Sequence, residues 1–180
     1  MQEGRYILNH NQINLIINRL CYQIVENYSN LDNLCIIGIQ PRGVFFAEKI
    51  YQKLASILEN DSIKYGKLDI TFFRDDFRRN EKPIEASETQ IDFLVENKKV
   101  IFVDDVIFTG RSVASALNAI QSFGRPKTIE LLTLIDRKFC RHLPIQPDYT
   151  GRTIDATINE KVKVYWEENA GEDQVFLITN

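Results

Sequence analysis

The stretch from Val100 to Ser112, Val-Ile-Phe-Val-Asp-Asp-Val-Ile-Phe-Thr-Gly-Arg-Ser, limits the possible folds of this chain more than any other part of it. An apolar run without alternation ends in two adjacent carboxylates, Asp104 and Asp105. A short spacer follows, and Thr109-Gly110-Arg111-Ser112 then opens an amphipathic pattern that buries Val113, Leu117 and Ile120. Unalternating apolar runs suit strands covered on both faces, which occur in parallel sheets flanked by helices. The order strand, acidic pair, glycine loop, helix therefore places two acids at the carboxyl end of a strand, facing a helix N-terminus. In open α/β sheets that is where ligands bind.

The rest of the chain repeats the pattern. Residues 12–29 space Ile13, Ile16, Ile17, Leu20 and Ile24 as on one face of a helix. Leu34 to Ile39 is a second apolar run, followed by the turn Gln40-Pro41-Arg42-Gly43 and a helix with Phe46, Ala47, Ile50, Leu54 and Leu58 on one side. Residues 67–73 alternate as a strand, and Ile129 to Ile135 is a third dense apolar run ending in Asp136-Arg137. Two further strands are expected at 161–166 and 175–179, around a polar turn at 167–174. Segment 74–90 is polar, aperiodic and holds Pro83, as an active-site lid would be. Residues 138–150 show no period. These elements predict one α/β domain over 1–180, a mostly parallel sheet with helices on both faces, a small hood at about 136–160 and C-terminal strands. Arg42, the acidic pair and Asp136 then converge on one crevice.

Bulk properties remove other classes. Lys plus Arg is 22 against 25 Asp plus Glu, a net charge of −3, so no general basic signature for nucleic acid exists. Cys21, Cys35 and Cys140 are widely spaced and accompanied only by His10 and His142, which makes no zinc set. Cys35, inside an apolar run, reads as a small buried hydrophobe. No apolar run approaches the ~20 residues of a membrane span, and Met1 to Arg5 lacks the layout of a signal peptide. The expected compartment is the cytoplasm. Neither a Walker loop nor a G-x-G-x-x-G run is present, which disfavours triphosphatases and dinucleotide enzymes.

In the crevice, backbone N–H groups from Ile107 to Ser112, the hydroxyls of Thr109 and Ser112, and a helix dipole suit a phosphate. Two carboxylates beside it suit a diol. A ligand with both is a ribose phosphate, and Arg42 suits a second, larger anion. Here the residues carry a resemblance. Residues 100–112 resemble the phosphoribosyl-pyrophosphate signature of the type I phosphoribosyltransferases. Ile37 to Gly43, Leu68 to Asp76, Gly124 to Pro126, and Leu143 to Tyr149 with Gly151 resemble one subfamily, the bifunctional pyrimidine operon regulators and uracil phosphoribosyltransferases, from about residue 7 to 178.

The resemblance implies transfer of ribose 5-phosphate from phosphoribosyl pyrophosphate to uracil, giving UMP and pyrophosphate, with Mg2+ on the diphosphate. It implies that Asp104 and Asp105 hold the ribose hydroxyls, that Thr109, Gly110, Arg111 and Ser112 cradle the 5-phosphate, and that Val106, Ile107 and Phe108 also line the phosphoribosyl-pyrophosphate site. Pro41, Arg42 and Gly43 meet the pyrophosphate, Arg74 arrives with the lid, and Asp136 and Arg137 sit near the base or the metal. It also implies a homodimer or higher homo-oligomer. The 6-oxopurine enzymes carry an acid where this chain has Phe108, which takes no proton and suits stacking on a flat base; this favours uracil. Regulation would require RNA. The subfamily's adjacent arginines and histidine on the first helix are replaced here by Asn14-Leu15 and Tyr22, leaving Arg19, and the segment 137–143 departs from the subfamily's Gly-His-Arg run. Arg125, Lys127, Lys138 and Arg141 are the remaining cations for an RNA face.

Overall fold

The computed structural model describes residues 4–28, 30–59, 63–75, 87–157 and 159–179. Five strands form a parallel sheet: β2 (Leu34–Ile39), β3 (Lys64–Leu68), β4 (Lys99–Ile107), β5 (Thr128–Lys138) and β6 (Tyr149–Asp155), in the spatial order β3-β2-β4-β5-β6. From β2 the chain moves one way to β3 and then crosses to β4 on the other side. The switch in direction lies between β2 and β4, so a crevice opens at their carboxyl ends.

The apolar runs are unalternating because both sheet faces are covered. Ile36, Ile101, Val103, Leu132 and Leu134 pack with α1 (His10–Asn27) and α2 (Gly43–Leu58). Cys35, Ile37, Ile39, Val100, Phe102 and Leu131 pack on the opposite face with Val113, Ala116 and Ile120 around α3 (Arg111–Ala119). Burial raises the Cys21 thiol to about 12 and the Cys35 thiol to about 11, so both are inert core groups. α1 starts at a capping box: the Asn9 side chain accepts from Gln12 N at 2.8 Å, and Gln12 Oε1 from Asn9 N at 3.0 Å.

A second, antiparallel sheet of order β1-β8-β7 joins β1 (Gly4–Leu8), β7 (Glu160–Tyr165) and β8 (Gln174–Thr179), with α4 (Glu167–Ala170) in the turn. Its inner residues Val162, Val164, Val175 and Leu177 join the core that covers α1 and α2. Trp166 is buried at 3% exposure, stacked on Phe46 with centroids 5.8 Å apart. None of the helices among the described residues is long and apolar enough to cross a membrane.

Several boundaries differ from the sequence reading. The strand expected at 67–73 instead ends at Leu68. Asp69 Oδ1 accepts from Thr71 N at 3.0 Å and Thr71 Oγ1 at 2.6 Å, and this local turn replaces ladder bonds with the 3₁₀ turn Thr71–Phe73. The helix expected at 110–123 tightens into a 3₁₀ turn at Ile120–Phe123. β1 and β6 were not expected: the first is too short to show a period, and the second reads Thr-Gly-Arg-Thr through its middle. Residues 76–86, most of the segment read as a lid, lie outside the described residues.

Candidate active site

β4 does not stop at the acidic pair. It continues to Ile107, with Asp104 opposite Thr133 and Ile107 opposite Asp136 on β5. Asp104 and Asp105 therefore sit inside a paired strand and are 9% and 4% exposed. Asp104 Oδ1 accepts from Asp105 N at 2.9 Å, while Asp105 Oδ2 is buried without a partner. Burial pushes both carboxyls up. At Asp104 the neighbouring Asp105 charge adds to this and the Arg42 guanidinium opposes it; at Asp105 Arg42 is the largest opposing influence. The pair holds negative charge reluctantly and gains most from a cation placed beside it.

Gly43 lets α2 start directly over this pair. A Cβ there would lie 2.4 Å from Val103 O and 3.0 Å from Asp104 Cα. The close approach sets Arg42 at the N-terminus of α2, exposed, beside the carboxylates. Pro41 precedes it after a cis Gln40–Pro41 peptide, and Gln40 Nε2 donates to Glu88 O at 2.9 Å.

On the other side, Gly110 adopts φ +88 and α3 begins at Arg111, whose N–H donates to Thr109 Oγ1 at 3.4 Å; Gly110 supplies no side-chain cap, and this helix N-terminus opens on the cavity. That cavity, about 280 Å³, is lined by Arg74, Asp75, Asp104 and residues 106–113 with Ser115. Arg111 is ion-paired with Asp75. A second cavity of about 320 Å³ shares Arg74, Asp104, Val106, Phe108 and Ser112 with the first and adds Pro41, Arg42, Asp105, Arg137, Lys161 and Val162. The two form one crevice with the acids on its floor, the anion loop at one end and Arg42 at the other.

Several expected site residues already have partners within the chain. Asp136 is bonded to Arg141 Nη2 at 2.5 Å, so its carboxylate is already neutralised. Arg141 also donates to Phe108 O at 2.7 Å and so braces the loop. Arg19 is similarly engaged, donating to Thr150 O at 3.0 Å and Gly151 O at 2.7 Å. Arg125 and Lys127 are exposed. Arg137 is 5% exposed, bonded to Thr157 O at 3.0 Å and Glu160 O at 2.9 Å, and stacked over the Phe108 ring at 4.0 Å. One face of Phe108 is thus covered by a guanidinium.

Two contributions were missed in the sequence. The aperiodic loop after β5 supports the anion loop: His142 N and Leu143 N donate to Thr109 O at 3.0 and 3.2 Å, and Ile145 packs 3.4 Å from where a Gly110 Cβ would be. Lys161 and Val162 reach the crevice from the antiparallel sheet. The Lys-Val-Lys-Val alternation reveals two faces but not which neighbour each face meets.

A family described as the phosphoribosyl transferase domain matches residues 5–169, and the chain belongs to it. Within that family, relatives that match nearly end to end include several named Bifunctional protein PyrR. The chain is 39% identical to Bifunctional protein PyrR of Caldicellulosiruptor bescii, over 98% of this chain and 96% of the relative. It is 44% identical to that of Microcystis aeruginosa, over 96% of each, and the chain sits in this PyrR branch. In fold it is similar to a hypoxanthine phosphoribosyltransferase of Staphylococcus aureus (TM-score 0.70, 20% identity, 97% of this chain and 91% of that one). It is likewise similar to the Trypanosoma cruzi enzyme (TM-score 0.72, 16% identity, 98% and 97%).

Proposed function

We propose that this chain, as a single domain, transfers ribose 5-phosphate from phosphoribosyl pyrophosphate to uracil, releasing UMP and pyrophosphate. The observation that carries the reading is the buried pair Asp104–Asp105 between the N-terminus of α3 and Arg42. In this reading the amides and hydroxyls of Thr109 to Ser112 hold the 5-phosphate, and the two carboxylates accept from the ribose hydroxyls. Breaking the bond at the anomeric carbon develops positive charge on the ribose ring. The reluctantly ionised pair beneath it favours that charge, while Arg42 and Arg74 favour the departing diphosphate. Mg2+ enters on the diphosphate as part of the substrate. The unpartnered Asp105 Oδ2 suits its water shell better than Asp136, which Arg141 occupies. A flat base fits against the free side of Phe108, next to Arg137 and Val162, and Phe108 leaves no acid to serve a purine ring. The substrates are metabolites of the cell interior, in keeping with a cytoplasmic enzyme.

The test is UMP formation from uracil and phosphoribosyl pyrophosphate, with hypoxanthine as the comparison. Turnover with uracil is expected; no turnover with either base would refute the enzyme reading, and hypoxanthine alone would refute the base. The relatives' name, bifunctional, favours a second activity. An RNA-dependent regulatory role would rest on Arg125, Lys127 and Lys138, the exposed cations left from the predicted set. It is tested by salt-dependent RNA binding with and without UMP.

A further inference from the structure

The charged residues lining the cavity beside the anion loop are Arg74, Asp75, Asp104 and Arg111. Asp104 lies on the buried floor. Asp75 stands at the mouth, ion-paired with Arg111, both side chains about half exposed. A carboxylate in this place runs against its surroundings. The hydroxyls of Thr109 and Ser112, the positive-φ Gly110 and the N-terminus of α3 all favour an anion from outside the chain. α3 has no acidic residue in its own first turn. Asp75 brings that negative charge from another element.

The element that brings it is pinned. Asp69 Oδ1 fixes the turn Thr71–Phe73, within which Phe73 N donates to Ile70 O at 2.9 Å, and Arg74 N donates to Thr71 O at 3.5 Å. Asp69 N donates in turn to Thr89 Oγ1 at 3.1 Å. The turn packs against α3. Asp75 follows directly after it and reaches the first residue of that helix.

The consequence is a competition. A guanidinium takes a carboxylate or a phosphate with the same fork of donors. A phosphate ester entering the loop meets Arg111 already paired, and it meets the charge of Asp75 as well. The plain alternative is a surface ion pair that contributes little to stability. Such a pair would leave ligand affinity unchanged, and that difference can be measured.

We propose that Asp75 sets the affinity of the anion loop: its carboxylate and the phosphate of a bound phosphate monoester exchange places on the Arg111 guanidinium. The proposal rests on the reading of this loop as the 5-phosphate site. On that reading phosphoribosyl pyrophosphate and UMP both bind against Asp75, and Asp75 regains Arg111 as the product leaves, which hastens release.

The experiment is calorimetric titration of the full chain with inorganic phosphate, UMP and uridine at physiological ionic strength. Asp75→Asn should tighten phosphate and UMP by the same factor, roughly three- to fivefold, the contribution of an exposed ion pair. Uridine, which lacks the phosphate, should bind as in the wild type, and Asp75→Glu should keep wild-type affinities for all three. With Arg111→Gln already present, Asp75→Asn should bring no gain. Circular dichroism checks that each variant is folded. Phosphate binding unchanged, weakened or undetectable in Asp75→Asn would overturn the proposal, as would an equal gain for uridine. A gain of the same size in the Arg111→Gln background would also overturn it, because plain repulsion would then replace exchange on Arg111. The phosphate arm needs no catalysis. A phosphate gain without uracil turnover upholds the exchange and refutes the transferase reading, whereas turnover without a phosphate gain does the reverse.

Discussion

Replacing Asp104 with asparagine should make this protein more stable and much less active. Asp104 is 9% exposed, and its carboxyl is held well above the usual range by burial first and the Asp105 charge second. A buried carboxylate so placed either ionises at a cost or takes up a proton as the chain folds. The sign follows from linkage. A carboxyl raised on folding contributes stability that is fully present below its unfolded value of about 4 and is lost as pH rises through the folded value. Asparagine keeps an oxygen for Asp105 N, which Asp104 Oδ1 now accepts at 2.9 Å, and offers an N–H toward the unpartnered Asp105 Oδ2. Relief of a poorly compensated buried group is worth about 1–3 kcal/mol. For a chain of 180 residues the unfolding entropy is about 0.4 kcal/mol/K, so Tm should rise by about 3–8 °C near pH 8. The gain should shrink toward zero near pH 4, while turnover falls by about 10²-fold or more. Thermal and urea unfolding of both proteins across that range measure it. A variant no more stable than wild type near pH 8, or a gain independent of pH, would refute the reasoning: Arg42 would then fully compensate an ionised pair.

Other outcomes follow from single contacts. Asp105→Asn and Arg42→Ala should each lower turnover by about 10²–10³-fold with circular dichroism unchanged, since one removes charge under the ribose and the other a cation at the diphosphate end. Gly43→Ala should destabilise by about 1–3 kcal/mol or more in urea unfolding, because its Cβ would meet Val103 O at 2.4 Å and must push α2 off β4. Phe108→Ala removes the ring that Arg137 covers at 4.0 Å and should lower kcat/KM for uracil by about tenfold, while KM for phosphoribosyl pyrophosphate changes little.

The part of the site legible in the sequence is the part built by consecutive residues. Asp104, Asp105 and the loop to Ser112 share one strand-loop-helix unit, so spacing alone places them together. Arg42 was legible one step further out, because parallel strands end on the same edge. Roles were hidden where cations already had partners. Nothing near Arg141 or Arg19 in the chain announces Asp136's neutralisation or the carbonyls of Thr150 and Gly151. The β7 wall was hidden for a related reason. Its packing against the crevice depends on pairing with β1 and β8, whose contacts span nearly the whole chain. The misplaced strand at 67–73 shows the opposite limit, where one aspartate's local hydrogen bonds outweighed a good alternating pattern.

The crevice draws its walls from two separate sheets. The floor with the acidic pair and the anion loop belongs to the parallel sheet, whereas Lys161 and Val162 come from the antiparallel one, tied to the floor through Arg137's bonds to the carbonyls of Thr157 and Glu160. This makes the molecule modular at the level of chemistry. On the proposed function, substitutions in the short strand from Glu160 to Tyr165 would retune which base is accepted more readily than they would disturb the site for the activated sugar. A lineage could diversify its acceptors by drift in six residues while its donor site stays fixed.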